Sequence, residues 1–262
     1  MSDSFMPVEN VTPYASGECK RDQVKQIFDT LAHGYDRLNR ILSLGIDRSW
    51  RYRALRPLRE HSPARVLDMA TGTADLAILA ARLLPEVQVT GIDLSNEMLA
   101  IGRTKIANAG LTERITLQQG DCLDSALPDE LFDVVMAGFG VRNFASLSAG
   151  FGEMYRVLAP GGQLVILELS KPITWPWRVL YRFYLRYVIT CVGRLLTGHA
   201  QEYAYLPASI EQVPQREGMC ALLRDAGFSA CHFSSYTFGI CTCYRATRGE
   251  SKMSDCPPSL TT

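Results

Sequence analysis

Between residues 65 and 169, short apolar runs alternate with amphipathic stretches, and that alternation leaves few folds open. The runs are RVLDMA (65–70), VQVTGID (87–93), ITLQQGD (115–121), FDVVMAGF (132–139) and QLVILEL (163–169). Apolar residues at helical spacing occupy 75–84, 95–109 and 146–158 between them. Strands apolar on both faces, alternating with helices, predict a doubly wound, Rossmann-like parallel sheet.

The flanks read differently. From Asp22 to Leu58, Val24, Ile27, Phe28, Leu31, Leu38, Ile41 and Leu42 recur at helical spacing and predict two or three helices. Met1 to Glu18 is polar and expected to fray. The alternation breaks over 171–210, where no strand is expected, and resumes with a helix at 215–226 ended by Gly227. Two closing strands, 229–236 and 239–246, are joined too closely to be parallel. The chain thus divides into 1–61 (tail and helices), 62–170 (core), 171–214 (helical insertion or lid), 215–247 (last helix and strands) and 248–262, a polar tail expected to be disordered. No internal repeat is present.

Composition excludes several classes. With 27 Lys+Arg against 27 Asp+Glu, the 262-residue chain has no global charge for a nucleic-acid partner. The first twenty residues lack the basic start and apolar run of a secretory signal, so a cytoplasmic location is expected. No apolar run approaches the ~18 residues of a membrane span. The eight cysteines include no C-x-x-C pair and only four histidines are present, so free thiols and no metal are expected.

The chemistry sits at the strand ends, where open parallel sheets bind ligands. LDMATGTAD (67–75) offers Gly72 but no G-x-G-x-x-G, and its Asp75 is a poor neighbour for a diphosphate, which disfavours a nicotinamide cofactor. A phosphate-free adenosine carrying an ammonium, S-adenosylmethionine, fits better beside Asp68, Gly72 and Thr73. Asp93, twenty-one residues beyond Gly72, suits the two ribose hydroxyls, although a helix cap also explains it. Asp121 and Cys122 close the third strand, where a carboxylate and a backbone N–H suit adenine; simple turn chemistry explains them equally. In AGFGVRNF (137–144), Gly138 lets backbone approach a ligand, and Arg142 lies where the methyl group would be delivered.

FDTLAHGYDRLNRILSLGIDRSWR (28–51), LDMATGTAD, GIDLSNEML, FGVRNF, YRVLAPGGQLVILELSKP (155–172) and YAYLPASI (203–210) together resemble the ubiquinone/menaquinone biosynthesis C-methyltransferase family over roughly residues 22–246. The resemblance implies an α/β class I methyltransferase fold: seven strands, the last antiparallel, with N-terminal helices and an inserted helical lid. It implies S-adenosylmethionine as methyl donor and a prenylated quinol as acceptor. Cofactor contacts then fall on Thr73, Asp93, Asp121 and Cys122, and the family's Arg-Asn pair on Arg142 and Asn143. Ala74 and Gly138 stand where many ubiquinone-type members carry Gly and Ser, which leans the expectation toward demethylmenaquinol rather than a benzoquinol.

For C-methylation of a quinol, Arg142 is expected to stabilise a phenolate, being too basic to accept a proton. A water, Tyr35, Asp36 or His199 would relay that proton, and Tyr203 and Tyr205 would wall the ring or merely pack. Alternatives of the same fold are another lipid or phenol methyltransferase; an alternative of another class is a non-catalytic nucleoside-binding module. Finally, WPWRVLYRFYLRYVITCVGRLL (175–196) reads as one helix with Trp177, Tyr181, Tyr184, Val188, Cys191 and Leu195 on a face and Arg178, Arg182 and Arg186 beside it. Such a helix lies at the inner face of a membrane or forms a lid. Whether the chain forms a homo-oligomer is left open.

Overall fold

The computed structural model describes residues 6–189 and 200–250. Helices α1 (Lys20–Leu42) and α2 (Asp47–Leu55) precede β1 (Arg65–Met69), α3 (Asp75–Leu83), β2 (Gln88–Asp93), α4 (Asn96–Asn108) and β3 (Ile115–Gln119). Then follow β4 (Phe132–Gly138), α5 (Leu147–Val157), β5 (Leu158–Leu169), α6 (Trp177–Phe183), α7 (Ala200–Gln212), α8 (Glu217–Asp225), β6 (Ser229–Tyr236) and β7 (Cys241–Thr247). The strands form one sheet in the order β3-β2-β1-β4-β5-β7-β6. β1 to β5 are parallel, and β7 runs antiparallel to both β5 and β6. The expected seven-stranded doubly wound sheet is therefore present.

The two-residue period of the strands fills both faces. Val66, Val134, Met136 and Val165 join Trp50, Leu55 and Leu76 in one core, so α2 and α3 cover that side. Leu67, Met69, Val135 and Ile166 alternate to the other face, against Phe151 and Met154 of α5 and Leu223 of α8. β1 lies between β2 and β4, so the strand order reverses there and leaves a crevice beyond the carboxyl ends. α1 crosses that crevice and is fastened to α4: Ser95 Oγ donates to Asp29 at 2.5 Å, and Lys105 Nζ to Asp36 at 2.6 Å.

Two expectations need correction. The stretch before Glu18 is not all frayed: Pro7–Asn10 form a 3-10 turn with Val8 fully buried. Glu9 accepts the Leu147 N–H at 2.6 Å in the first turn of α5, and Lys20 Nζ donates to the Val8 carbonyl at 2.6 Å. An acid at a helix N-terminus meets unsatisfied N–H groups, which pins the segment. The stretch 175–196 is not one α-helix as far as it is described. α6 begins at Trp177 and passes into a π-helical turn at Tyr184–Ile189. Cys191, Leu195, His199 and the Tyr203 side chain lie outside the described residues, as do residues 251–262. Among the described residues no helix is long and apolar enough to cross a membrane.

Candidate functional site

The first strand-end loop curls back on itself. Ala70, Gly72 and Ala74 all take left-handed backbone, with φ of 55°, 55° and 64°. For the alanines this costs about 1–2 kcal/mol each, strain that persists only where surroundings enforce it. Asp93 supplies part of the enforcement: its carboxylate accepts the Gly72 N–H at 2.8 Å and the Ser95 N–H at 2.9 Å. Burial nevertheless pushes the Asp93 pKa up. Gly140 closes the crevice from the fourth loop, where an added Cβ would lie 2.6 Å from that of Ala70.

A pocket opens at this junction. Gly72, Asp93, Asp121, Cys122 and Gly138 line it together, with Arg21, Phe28 and Tyr35 of α1 forming its roof. The four strand-end loops thus converge as the spacing predicts. Asp121 is not a bare acceptor, however: Arg21 Nε lies 2.6 Å from one carboxylate oxygen, and the other accepts the Leu123 N–H at 2.9 Å. Arg21 carries no spacing signal, since it lies one hundred positions earlier.

Beside it lies a smaller, charged pocket lined by Arg51, Asp68, Gly72, Thr73, Asp75 and Tyr35, among others. Asp68 is 1% exposed; its Oδ2 accepts the Thr71 hydroxyl at 2.6 Å, while Oδ1 has no partner among the described residues. Burial raises its pKa to about 7. A buried carboxylate with one oxygen left without a partner among the described residues, in the pocket beside the first, fits a ligand with an ammonium group, as S-adenosylmethionine has. Because a cation favours the ionised carboxylate, affinity for S-adenosylmethionine is expected to rise with pH, by at most about tenfold per unit, until Asp68 is fully ionised above about 7. Calorimetry from pH 5.5 to 7.5 checks this. A flat profile in the native protein, or a rise that survives Asp68→Asn, counts against it.

Thr73 lines the charged pocket, whereas Asp36 lines none of the cavities described. The Thr73 hydroxyl donates to Asp36 at 2.6 Å, and Lys105 gathers Asp36, Asp75 and Thr73 into one network. Asp36 is therefore occupied by Thr73 and Lys105 and does not line the cavity that contains Arg142.

A third cavity adjoins the other two through Tyr35 and Phe139. Leu42, Trp50, Tyr181, Tyr184, Leu185 and Ile210 make its walls apolar and aromatic, and Asn39, Asp47, Arg51 and Arg142 supply the polar groups. Phe139 holds the partition with left-handed backbone, φ 62°. Its carbonyl accepts from Arg142 Nη1, and its ring stacks against the Arg51 guanidinium at 5.2 Å. Arg142 is 6% exposed and ion-paired to Glu168 at 2.7 Å, whereas its Nε and the nearby Tyr205 hydroxyl have no partner among the described residues. Glu168 also accepts the backbone N–H groups of Arg142 (3.2 Å) and Leu169 (2.8 Å). Glu168 and Asp47 were missed from sequence. An acid inside the apolar run LVILEL was a usable signal for the first; nothing marked the second.

Comparison with known proteins agrees with this geometry. The model of the ubiE/COQ5 methyltransferase family matches residues 16–248. A demethylmenaquinone methyltransferase of Porphyromonas gingivalis is 46% identical over 237 residues, covering 90% of this chain and 97% of that one. One from Bacteroides fragilis is 44% identical, covering 92% and 99%. A ubiquinone/menaquinone biosynthesis C-methyltransferase of Geotalea daltonii is 41% identical, covering 86% and 96%. Among solved structures, a SAM-dependent methyltransferase from Aquifex aeolicus superposes with a TM-score of 0.52 at 18% identity, covering 71% of this chain and 82% of that one. The [4+2]-cyclase SpnF superposes at 0.56 and 18%, covering 88% and 97%. Identity that low carries the fold alone, and a cyclase among the neighbours means that the fold does not choose the chemistry. The full-length relatives and the family match do decide membership: the chain belongs to the ubiE/COQ5 methyltransferase family.

Proposed function

We propose that this protein transfers the methyl group of S-adenosylmethionine to a ring carbon of demethylmenaquinol, a prenylated naphthoquinol, forming menaquinol. The observation that carries the reading is the third cavity: an apolar, aromatic chamber abutting the donor pockets, with a buried guanidinium, that of Arg142, whose Nε lacks a partner among the described residues. The names of the relatives at 44–46% identity support the naphthoquinol over a benzoquinol.

S-adenosylmethionine supplies an electrophilic methyl group when bound. The remaining work falls to the chain, because an aromatic carbon is a poor nucleophile until a neighbouring hydroxyl loses its proton. Arg142, held by Glu168, stabilises the phenolate so formed. It does not take the proton, since a guanidinium stays charged below about pH 12. Burial raises the pKa of Tyr35, Tyr181 and Tyr205, so these stay protonated at neutral pH and donate rather than accept. Asp36 does not line the chamber; among the described residues the carboxylate that does is Asp47, which accepts the Ser43 hydroxyl at 2.7 Å on Oδ1 and Arg51 Nη1 on Oδ2. Asp47 takes the proton, directly or through a water, rather than Tyr35 or Asp36.

The protein incubated with labelled donor and, separately, a naphthoquinol and a benzoquinol tests the reading by mass spectrometry. A carbon-bound methyl on the naphthoquinol is expected. Methylation of the benzoquinol alone, or on oxygen, overturns it.

A prenylated acceptor resides in the bilayer, and α6 carries a surface suited to meet it there. Tyr181 and Leu185 are buried inward, against Ile210. On the opposite side Val179, Leu180, Phe183 and Tyr187 are each 55–57% exposed, and Trp175 is 74% exposed. Arg178, Arg182 and Arg186 lie on the same segment, which contains no acid from Leu169 to Gln201. Apolar side chains for the acyl boundary beside cations for anionic headgroups make an interfacial helix, each cation contributing about 1 kcal/mol. Flotation with phosphatidylglycerol vesicles is expected to be lost in Leu180→Glu/Phe183→Glu and to become independent of anionic lipid in Arg178→Glu/Arg182→Glu/Arg186→Glu. Native flotation of the first variant would refute the docking face.

A further inference from the structure

The charged pocket beside the nucleoside site contains both signs of charge, and one member of it has no role so far. Arg51 reaches in from α2 with a side chain 12% exposed. Its Nη1 edge is bound to Asp47, whereas its Nη2 is 4.0 Å from Asp75, beyond hydrogen-bond distance. Asp75 is in any case already held by Lys105. One edge of the Arg51 guanidinium is thus committed and the other lacks a hydrogen-bond partner among the described residues. Arg51 is the cation among the residues lining this pocket. Opposite in sign, and in the same pocket, is the orphaned carboxylate oxygen of Asp68.

A pocket with one carboxylate oxygen and one guanidinium edge lacking hydrogen-bond partners among the described residues is the complement of a zwitterion. We infer that Arg51 binds the carboxylate of the donor's amino-acid end while Asp68 binds its ammonium. The inference rests on S-adenosylmethionine as the donor. A planar guanidinium with a free edge meets a carboxylate through directed, charge-assisted hydrogen bonds, which a lysine would meet as a point charge. The same side chain also lines the acceptor chamber and stacks on Phe139, so it fixes the donor's tail against the partition between the two ligands. Arg51 is in this sense a donor-binding residue that positions the methyl group.

Calorimetry on the full-length protein with three ligands tests this. S-adenosylmethionine has both charges, decarboxylated S-adenosylmethionine has the ammonium only, and 5′-methylthioadenosine has neither. Arg51→Gln is expected to weaken S-adenosylmethionine by about 10- to 100-fold, the range for a lost charge-assisted bond. It should leave 5′-methylthioadenosine and the decarboxylated donor near their native affinities, and Arg51→Lys should recover part of the loss. Equal weakening of all three ligands would mean a structural role and overturn the inference, as would an unchanged affinity for S-adenosylmethionine. If the native protein binds none of the three, the donor itself is wrong, a result distinguishable from failure of the Arg51 assignment.

Discussion

Arg142→Ala is expected to lower the methyl-transfer rate by about 10²–10³-fold, the usual cost of removing a positioned group that stabilises developing negative charge. Donor affinity should change little, because Arg142 lines the acceptor chamber and neither donor pocket. The loss should therefore appear in kcat, and calorimetry with S-adenosylmethionine should give a near-native Kd. Asp47→Asn offers the sharper comparison. If Asp47 only removes a proton, raising the pH toward the phenol's own pKa of about 10 makes that step spontaneous, and the variant should approach the native rate. Arg142→Ala should stay slow at every pH, since its phenolate still lacks a counter-charge. Recovery of both variants in alkali, or of neither, would show that the two roles are wrongly divided.

The division between donor and acceptor sites also marks what was legible in the sequence. The strand-end residues follow from topology: once β1 and β2 are adjacent and parallel, Gly72 and Asp93 must face each other, and their N–H···O bond at 2.8 Å follows. Nothing comparable links Arg21, Asp47 or Arg51 to the sheet. They reach the site because α1 and α2 fold over its edge, an outcome of tertiary packing with no local periodicity behind it. Asp36 illustrates a subtler failure. It adjoins Tyr35 in sequence, but consecutive helical residues point about 100° apart, so Tyr35 enters the chamber while Asp36 turns to Lys105. On α6 the helical period groups Tyr181 with Tyr184 on one face, and the structure packs that face inward; the second apolar stripe on the outer side was obscured because residues of both stripes are interleaved along the chain.

Glu168→Ala is expected to be the more damaging of the two changes to the buried pair for stability, even though Arg142 is the residue placed against the substrate. Both side chains are almost wholly buried, 7% exposed for Arg142 and 2% for Glu168. Removing the carboxylate leaves a guanidinium that cannot shed its charge, and a stranded buried charge costs about 3–5 kcal/mol. For a domain of this size that lowers Tm by roughly 10 °C. Removing the guanidinium instead strands a carboxylate that can take up a proton and that keeps the N–H groups of Arg142 and Leu169, so Arg142→Ala should lose less. An apolar pair, Arg142→Met with Glu168→Leu, should regain much of the lost stability and remain inactive, since filling the site with hydrocarbon removes the stranded charge without restoring a phenolate partner. Thermal denaturation of the four proteins, run beside methyl-transfer assays, decides the matter. If the apolar pair is as unstable as Glu168→Ala, the ion pair is holding the fourth loop in a geometry that packing alone cannot supply, and the catalytic account of Arg142 would have to be separated from a structural one by chemistry rather than by mutation.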